Sequence, residues 1–394
     1  MCSRGGAVRR PNEAGRESPP PRISPPSIAL PEHDHPAADG RTLRGVLDPR
    51  EVDAAGHRPA VVVGAPEDGP PPRLDFIDGE VSFWRSGAAD WAPARVNTPL
   101  AANDALYGAS GNGFEVQIGA RAWVRGAGST QMQLNDDDVA QLQFGLTAGR
   151  LAVDLQALPA AGGSIEIDTP NGAWTIRDPG YYRFDVDAQG TRLVTRRGGR
   201  LTVTLGNGLT LTPGPDEALV VNGTDAPTLA RQAAPAPDDW DDWNFDRSRS
   251  LLAAPATQRL PEDVWGGAEL ERHGRWRSVP DYGEVWVPDD VAPDWAPYSR
   301  GRWLDDPRYG WTWIDDAPWG WAPFHYGRWV RTADTWAWAP GPRPARPAYA
   351  PALVAWLGHP GRSGVGWVAL GWGEPAVPWW GRRGFAGRPW WGGW

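Results

Sequence analysis

No lysine occurs in this chain: its 39 basic residues are all arginine. Every cation is therefore a planar guanidinium, which stacks on aromatic rings better than an ammonium does. Cysteine is almost missing as well. With Cys2 alone, no disulfide can form within the chain. Long apolar runs are lacking, and none approaches the roughly 20 residues that span a bilayer as a helix. Arg4, Arg9 and Arg10 stand near the N-terminus, yet no apolar signal core follows them before about residue 60. Neither a signal peptide nor a lipoprotein anchor at Cys2 is legible; a start codon placed too far upstream would account for that.

Positive charge is scarce relative to negative. The formal net charge is −9, and Arg196-Arg197 is an isolated pair rather than part of a basic stripe. That balance argues against nucleic acid as a partner. Catalytic signatures are missing too: no Gly-x-Ser-x-Gly, no P-loop and no His-Glu-x-x-His is present. The pair His33 and His35 has no second ligand group nearby, so a solvated tail is the simpler reading. His273, His325 and His359 sit among glycine, proline and aromatics, which suits packing or surface roles. Asp136-Asp137-Asp138 reads as a polar turn before a calcium site. The chain is expected to be no enzyme and to take no cofactor or metal.

What is abundant is glycine (49), proline (42) and tryptophan (26). Such a composition, with no long helical pattern, points to a mainly β chain of short strands and turns. Residues 1–72 read as a disordered Pro-rich tail, because so few apolar groups cannot offset the entropy of ordering. From 73 to 225 the texture is short strands of period two. Phe114-Glu115-Val116-Gln117-Ile118, Leu151-Ala152-Val153-Asp154-Leu155, Ser164-Ile165-Glu166-Ile167 and Leu201-Thr202-Val203-Thr204-Leu205 all alternate. Turn signals such as Pro170-Asn171-Gly172 and Gly206-Asn207-Gly208 separate such runs. Residues 226–262 form a joint, in which Asp238-Asp239-Trp240-Asp241-Asp242 suits an acid-capped helix start. A Trp-rich repeat domain is expected over 263–374, with a Gly/Trp/Pro-rich tail over 375–394.

The repeats carry the clearest signal. Gly274-Arg275-Trp276, Gly301-Arg302-Trp303 and Gly327-Arg328-Trp329 recur at near-constant spacing, the mark of copies of one small unit. Each triplet has a second tryptophan downstream: Trp286, Trp313 and Trp338. Trp276 and Trp286 are symmetric about Asp281, and Trp303 and Trp313 about Arg308. Residues equidistant from a hairpin turn face each other, so each repeat should bring two indoles together. Trp311 with Trp313, Trp319 with Trp321, and Trp336 with Trp338 should share faces by alternation. Arg275, Arg302 and Arg328 alternate to the opposite face, where stacking on neighbouring indoles is the structural reading.

Residues Gly163-Ser164-Ile165-Glu166-Ile167-Asp168-Thr169-Pro170-Asn171-Gly172, then Tyr181-Tyr182-Arg183-Phe184-Asp185-Val186 and Gly199-Arg200-Leu201-Thr202-Val203, resemble a FecR-type domain over about residues 74–225. That resemblance implies a periplasmic β-roll or solenoid-type module. Trp319-Gly320-Trp321-Ala322-Pro323-Phe324-His325-Tyr326-Gly327-Arg328-Trp329 and Val365-Gly366-Trp367-Val368-Ala369-Leu370-Gly371 resemble a Trp-rich domain of unknown function that follows FecR-like modules in secreted proteins of Gram-negative bacteria. Together they imply a periplasmic or extracellular location and no enzymatic activity. The chain lacks the membrane helix and cytoplasmic sigma-binding segment of FecR regulators, so their transmembrane mechanism is not carried over.

Two functions follow as expectations. One is a non-enzymatic envelope protein with structural, signalling-related or protein-contact roles. The other is a module that binds cell-wall glycan through exposed tryptophans. Trp311, Trp313, Trp319, Trp321, Arg302 and Arg328 are the candidate ligand or partner residues. A sugar site needs indoles displayed on a solvent face among polar groups. A hydrolase would need a cleft with two facing carboxylates about 5–10 Å apart.

Overall fold

The computed structural model describes residues 69–261, 263–332, 335–341, 349–358, 365–374 and 376. The expected disordered tail up to residue 68, the C-terminal tail beyond Ala376, and His33, His35 and His359 lie outside them. All described residues belong to one unit, Val61–Trp394.

The chain is mainly β. Its first half gives β1 (Arg73–Asp78), β2 (Val81–Trp84), β3 (Ala92–Pro93), β4 (Ala105–Gly108), β5 (Gly113–Gly119) and β6 (Ala122–Gly126). Next come β7 (Gln131–Asp136), β8 (Gln141–Leu155), β9 (Ser164–Thr169), β10 (Gly172–Ile176) and β11 (Gly180–Val186). β12 (Gly190–Arg196), β13 (Leu201–Leu205), β14 (Thr210–Leu211), β15 (Glu217–Asn222) and β16 (Thr228–Ala233) complete the set. They form two sheets that share β8. One runs β1-β5-β6-β8-β11-β12-β15-β16, the other β3-β2-β4-β7-β8-β9-β10-β13-β14. Among the described residues β8 with β9 is the parallel pair, and the rest are antiparallel.

The strand β8 can serve both sheets because it bends at Gly149. There φ is +98°, and a Cβ would stand 2.4 Å from the Thr130 Cα, so glycine alone fits. Alternation then fills the space between the sheets. Phe114, Val116 and Ile118 of β5 and Leu151, Val153 and Leu155 of β8 point inward, against Phe144, Ile165, Ile167 and Trp174. The intervening residues Glu115, Arg125, Asp154, Tyr181, Arg183 and Arg196 point to the outer face of the first sheet.

That outer face is polar and buried, because the joint lies on it. The joint is no free linker: it carries helix α1 (Asp239–Ala253) and the short α2 (Pro255–Arg259). Asp238 and Asp241 cap α1 reciprocally, which satisfies backbone donors otherwise left open. The helix buries Asp241, Asn244 and Ser248 together with Leu251. Asp241 accepts from Tyr181 at 2.8 Å and pairs with Arg196 at 3.2 Å. Ser248 donates to Asp154 at 2.7 Å, and Arg247 pairs with Glu115 at 2.9 Å. Arg125 joins Glu115 at 2.6 Å. Arg150 and Arg183 each lie over Trp240, 5.5 Å from its ring.

The Trp-rich part begins with α3 (Leu270–His273). Hairpins follow: β17 (Gly274–Val279) with β18 (Gly283–Pro288), and β19 (Gly301–Asp306) with β20 (Gly310–Asp315). After α4 (Ala322–His325) come β21 (Arg328–Thr332) with β22 (Thr335–Ala339), and β23 (Val354–Gly358) with β24 (Val365–Ala369). The register is the one the spacing dictates: Trp276 faces Trp286, Trp303 faces Trp313 and Trp329 faces Trp338. Two features differ from expectation. The first and third hairpins join edge to edge through β18 and β22, Trp286 beside Trp338, a junction that the repeat spacing does not announce. Trp319 and Trp321 lie in the turn leading into α4, not in a strand.

The two parts are bonded to each other. Asn97 Nδ2 donates to the Ala317 carbonyl at 3.0 Å, Arg85 to Asp305 at 3.2 Å, and Arg308 to the Asp137 carbonyl at 3.2 Å. Arg73 of β1 covers the Trp321 ring at 5.2 Å.

Candidate interaction surface

Each repeat spends its second tryptophan on the core. The Trp286 indole donates to the Leu270 carbonyl at 2.9 Å, Trp338 to Tyr326 at 2.8 Å, and Trp313 to Asp315 Oδ2 at 3.1 Å. Burial pushes the Asp315 carboxyl up to about 7, against the Ala317 N–H and the Trp313 indole that favour its charge. Around them Trp295, Trp319, Phe324 and Trp329 pack ring to ring. His325, Trp321 and Tyr349 pack as a three-ring cluster, His325 stacked on Tyr349 and tilted against Trp321, with His325 Nδ1 2.8 Å from the Ala350 carbonyl. Burial lowers its pKa to about 3, so the imidazole is neutral at pH 7.

The structure therefore separates the six residues singled out from the sequence. Trp313, Trp319, Trp321 and Arg328 are buried, where no soluble ligand touches them without displacing core. Arg328 donates to the Glu374 carbonyl at 3.0 Å and the Gly327 carbonyl at 2.8 Å. Arg302 is half-buried and lies 3.7 Å from Asp316. Trp311 is about half exposed, at 53%. The expected stacking of the repeat arginines is also redistributed. Arg275 pairs with Asp289 and Arg302 with Asp316, while Arg259 covers Trp276 and Arg331 covers Trp336. Carboxylates next to the repeat strands win these guanidiniums because ion pairing and stacking compete for the same group.

What faces solvent is a different surface, built by the second and fourth hairpins. Trp356 and Trp367 are cross-strand partners. Both rings pack on Trp303, at 4.7 and 5.4 Å, and Trp367 also reaches Trp313 at 6.1 Å. The Trp367 indole donates to the Tyr298 carbonyl at 3.0 Å. Tyr298 is itself fixed, its hydroxyl donating to Phe324 at 2.7 Å and accepting from the Leu353 N–H. With its indole side held down, the hairpin turns its aliphatic side outward. Leu357 is 56% and Val368 50% exposed, and the indole edges of Trp356 and Trp367 remain 37% and 36% exposed. Beside them a shallow groove runs between Pro297, Tyr298, Trp336, Trp367 and Val368. Trp311 lies on β20, at the turn end of the face that carries Trp313. Sequence reading missed Trp356 and Trp367 because they lack the Gly-Arg-Trp triplet. Their placement on either side of the glycine- and proline-containing sequence run 358–364 was the available signal.

Two acidic clusters, one of them the Asp136-Asp137-Asp138 run weighed above as a calcium site, resolve into structure. Asp136 and Asp138 accept backbone N–H groups of their own turn, at 2.9 Å each. Glu166 and Asp168 share the Gln143 side-chain amide, at 3.0 and 2.7 Å, on the outer face of a sheet rather than in a cleft.

Residues 267–374 match the model of a family described as a family of unknown function, DUF6600. Those residues contain all four hairpins and the whole exposed surface. No curated protein matches the chain. A crystal structure of a candidate anti-sigma factor from Parabacteroides distasonis is similar at 12% identity, over 34% of this chain and 60% of that one, with a TM-score of 0.29. The chain thus spans about 60% of that protein's length. A second such structure from the same organism is similar at 11% identity over 47% of this chain and 99% of its own, with a TM-score of 0.30. No described helix is long and apolar enough to cross a membrane.

Proposed function

We propose that this chain is a non-enzymatic, exported envelope protein that presents the outer side of the β23–β24 hairpin to a protein partner. The observation that carries this reading is the exposed aliphatic side of the hairpin, Leu357 and Val368, rimmed by the indole edges of Trp356 and Trp367, which pack from behind on Trp303. An apolar patch with aromatic groups at its edge, held by a packed support, suits a protein interface. A scaffold role fits the chemistry of the interior. His325 is neutral and packed against Trp321 and Tyr349, Asp315 is bonded to Trp313, and the charges under α1 are paired with each other. Export rests on the resemblance to FecR-type and Trp-rich envelope domains given above.

The glycan reading is weaker on this geometry. Most of the repeat tryptophans are core, and Trp356 and Trp367 stand beside Leu357, Val368 and Ala355, with Ser299 in the groove next to Trp367 and Asp305 opposite Trp311, fewer polar groups than a sugar needs.

The test uses the full chain and the double variant Leu357→Asp/Val368→Asp, immobilised and exposed to an envelope protein extract. A partner retained by the wild type and lost from the variant is the expected result. Equal retention by both would move the interface elsewhere. Saturable sedimentation with purified peptidoglycan, with quenched tryptophan fluorescence, would replace the protein reading by the glycan one.

A further inference from the structure

The two sheets of the first half end in four strands that each have one neighbour, β1, β3, β14 and β16. Three of these edges are guarded. The outer side of β1 is bonded by the loop at 97–100, with Leu74 N–H on the Thr98 carbonyl at 2.9 Å and Leu100 N–H on the Pro72 carbonyl at 2.7 Å. β3 is Ala92-Pro93, two residues long. β14 is two residues long and Pro213 follows it closely. Short strands and prolines are how sheets stop further pairing.

The fourth edge is longer than β3 or β14 and has no proline within it, Pro227 standing directly before it and Pro235 two residues beyond its end. β16 is six residues of Thr-Leu-Ala-Arg-Gln-Ala, all exposed, with no proline. It pairs with β15 over all six positions and without a bulge. Its one charge, Arg231, is matched by Glu217 of β15, so the edge carries no net repulsion. Among the described residues no strand lies on its outer side.

We infer that β16 is a self-association edge, where a second copy of this chain adds its own β16 antiparallel and joins two sheets into one. Self-complementarity is what selects a second copy as the occupant. A two-fold axis normal to the sheet keeps every residue on its own face, so partners across the axis must share parity. With Ala230 on the axis, Ala230 meets Ala230, Leu229 meets Arg231 and Thr228 meets Gln232. Small meets small on the axis, and the Arg231 stem lies along an apolar side chain. The neighbouring register, with Arg231 on the axis, sets two guanidiniums opposite each other and is disfavoured. The main-chain groups of a six-residue edge supply the affinity in this kind of strand addition.

The test exploits the single native cysteine. Full-length chain in a Cys2→Ser background carrying Ala230→Cys should form a disulfide-linked dimer on oxidation, because the two residues sit across the axis. Sedimentation of the wild type should show a concentration-dependent dimer. Ala230→Lys places two ammonium groups on the axis and should weaken it by about tenfold or more, with unchanged circular dichroism. Leu229→Glu places a carboxylate opposite Arg231 and should tighten it, a gain that general loss of stability cannot imitate. A wild type that stays monomeric at all concentrations overturns the inference. So does a dimer indifferent to both charge variants and not cross-linked through position 230.

Discussion

Gly301 lies directly against the indole of Trp313. A Cβ on Gly301 would stand 2.6 Å from Trp313 Cζ2 and 2.4 Å from the Ile314 carbonyl oxygen. The same relation holds in the other copies: a Cβ on Gly274 would meet Trp286 at 2.5 Å, and one on Gly327 would meet Trp338 Nε1 at 2.7 Å. The glycine of each Gly-Arg-Trp triplet is therefore the space that the second tryptophan of its hairpin fills. A backbone carbonyl and a wedged indole cannot both give way, so Gly301→Ala should cost about 1–3 kcal/mol by overpacking. Chemical denaturation of Gly301→Ala and Gly274→Ala checks this. Stability within error of the wild type would show that the indole is free to shift.

The hairpins were legible because their signal is local. Trp276/Trp286 and Trp303/Trp313 are set by distance from a turn, and antiparallel geometry leaves little choice of partner. The strands of the first half were legible for the same reason, since period two in Phe114–Ile118 or Leu201–Leu205 survives any tertiary context. Three things were not local. Which hairpin joins which depends on Trp286 meeting Trp338, far apart in sequence. Trp319 and Trp321 alternate as strand residues would, yet Pro323 and the α4 turn bury both. The fate of the indoles, core or surface, is decided by what covers each hairpin, so Trp313 vanished inside while Trp311, two residues away, stayed outside. The joint was half legible. Its acidic start declared the cap on α1, but Asp241, Asn244 and Ser248 face a buried polar sheet that no hydrophobic pattern announces.

Substitutions on the two sides of the aromatic cluster should separate stability from binding. Trp313→Ala removes a fully packed indole and should cost about 3–5 kcal/mol. Leu357→Asp and Val368→Asp act on exposed positions and should change stability by about 0.5 kcal/mol or less. Thermal and urea denaturation of the three variants checks the contrast. A large loss from either aspartate would mean that the outer side of the hairpin is covered within the chain.

The charged layer under α1 should behave as a unit. Arg125 bonds Glu115 and lies 3.6 Å from Asp154, and Glu115 also holds Arg247. Removing one member strands a buried opposite charge, which costs about 3–5 kcal/mol. Arg125→Met should therefore destabilise strongly. Glu115→Gln in the same chain should recover part of the loss, and a double-mutant cycle measures the coupling. Additive effects would show that the groups are independently solvated.

Acid should stabilise this protein before it harms it. Burial pushes Asp75, Asp104 and Asp168 up to about 6 and Asp315 to about 7. A carboxyl raised above its unfolded value of 3.8 favours the folded state most when protonated. Its contribution is full below 3.8 and disappears as pH rises through 6 to 7. His325 acts in the opposite sense: lowered to about 3, it contributes above 6.5 and loses that contribution as pH falls. Four carboxyls against one imidazole leave a net gain from pH 8 down to about pH 5. Below about pH 4.5, Glu115 and then Asp238, both held low by arginines and hydrogen bonds, begin to lose theirs. The melting temperature should thus rise by a few degrees between pH 8 and pH 5, about 2–4 °C for each kcal/mol gained. Asp168→Asn isolates one share of this, because the burial and the Glu166 charge that raise Asp168 no longer oppose a neutral side chain, and Gln143 and Asn135 can turn their amides toward it. The variant should be more stable than the wild type at pH 8 and no more stable near pH 4. A melting temperature falling steadily from pH 8 to pH 5 in the wild type would mean that these carboxylates are solvated well enough to stay charged.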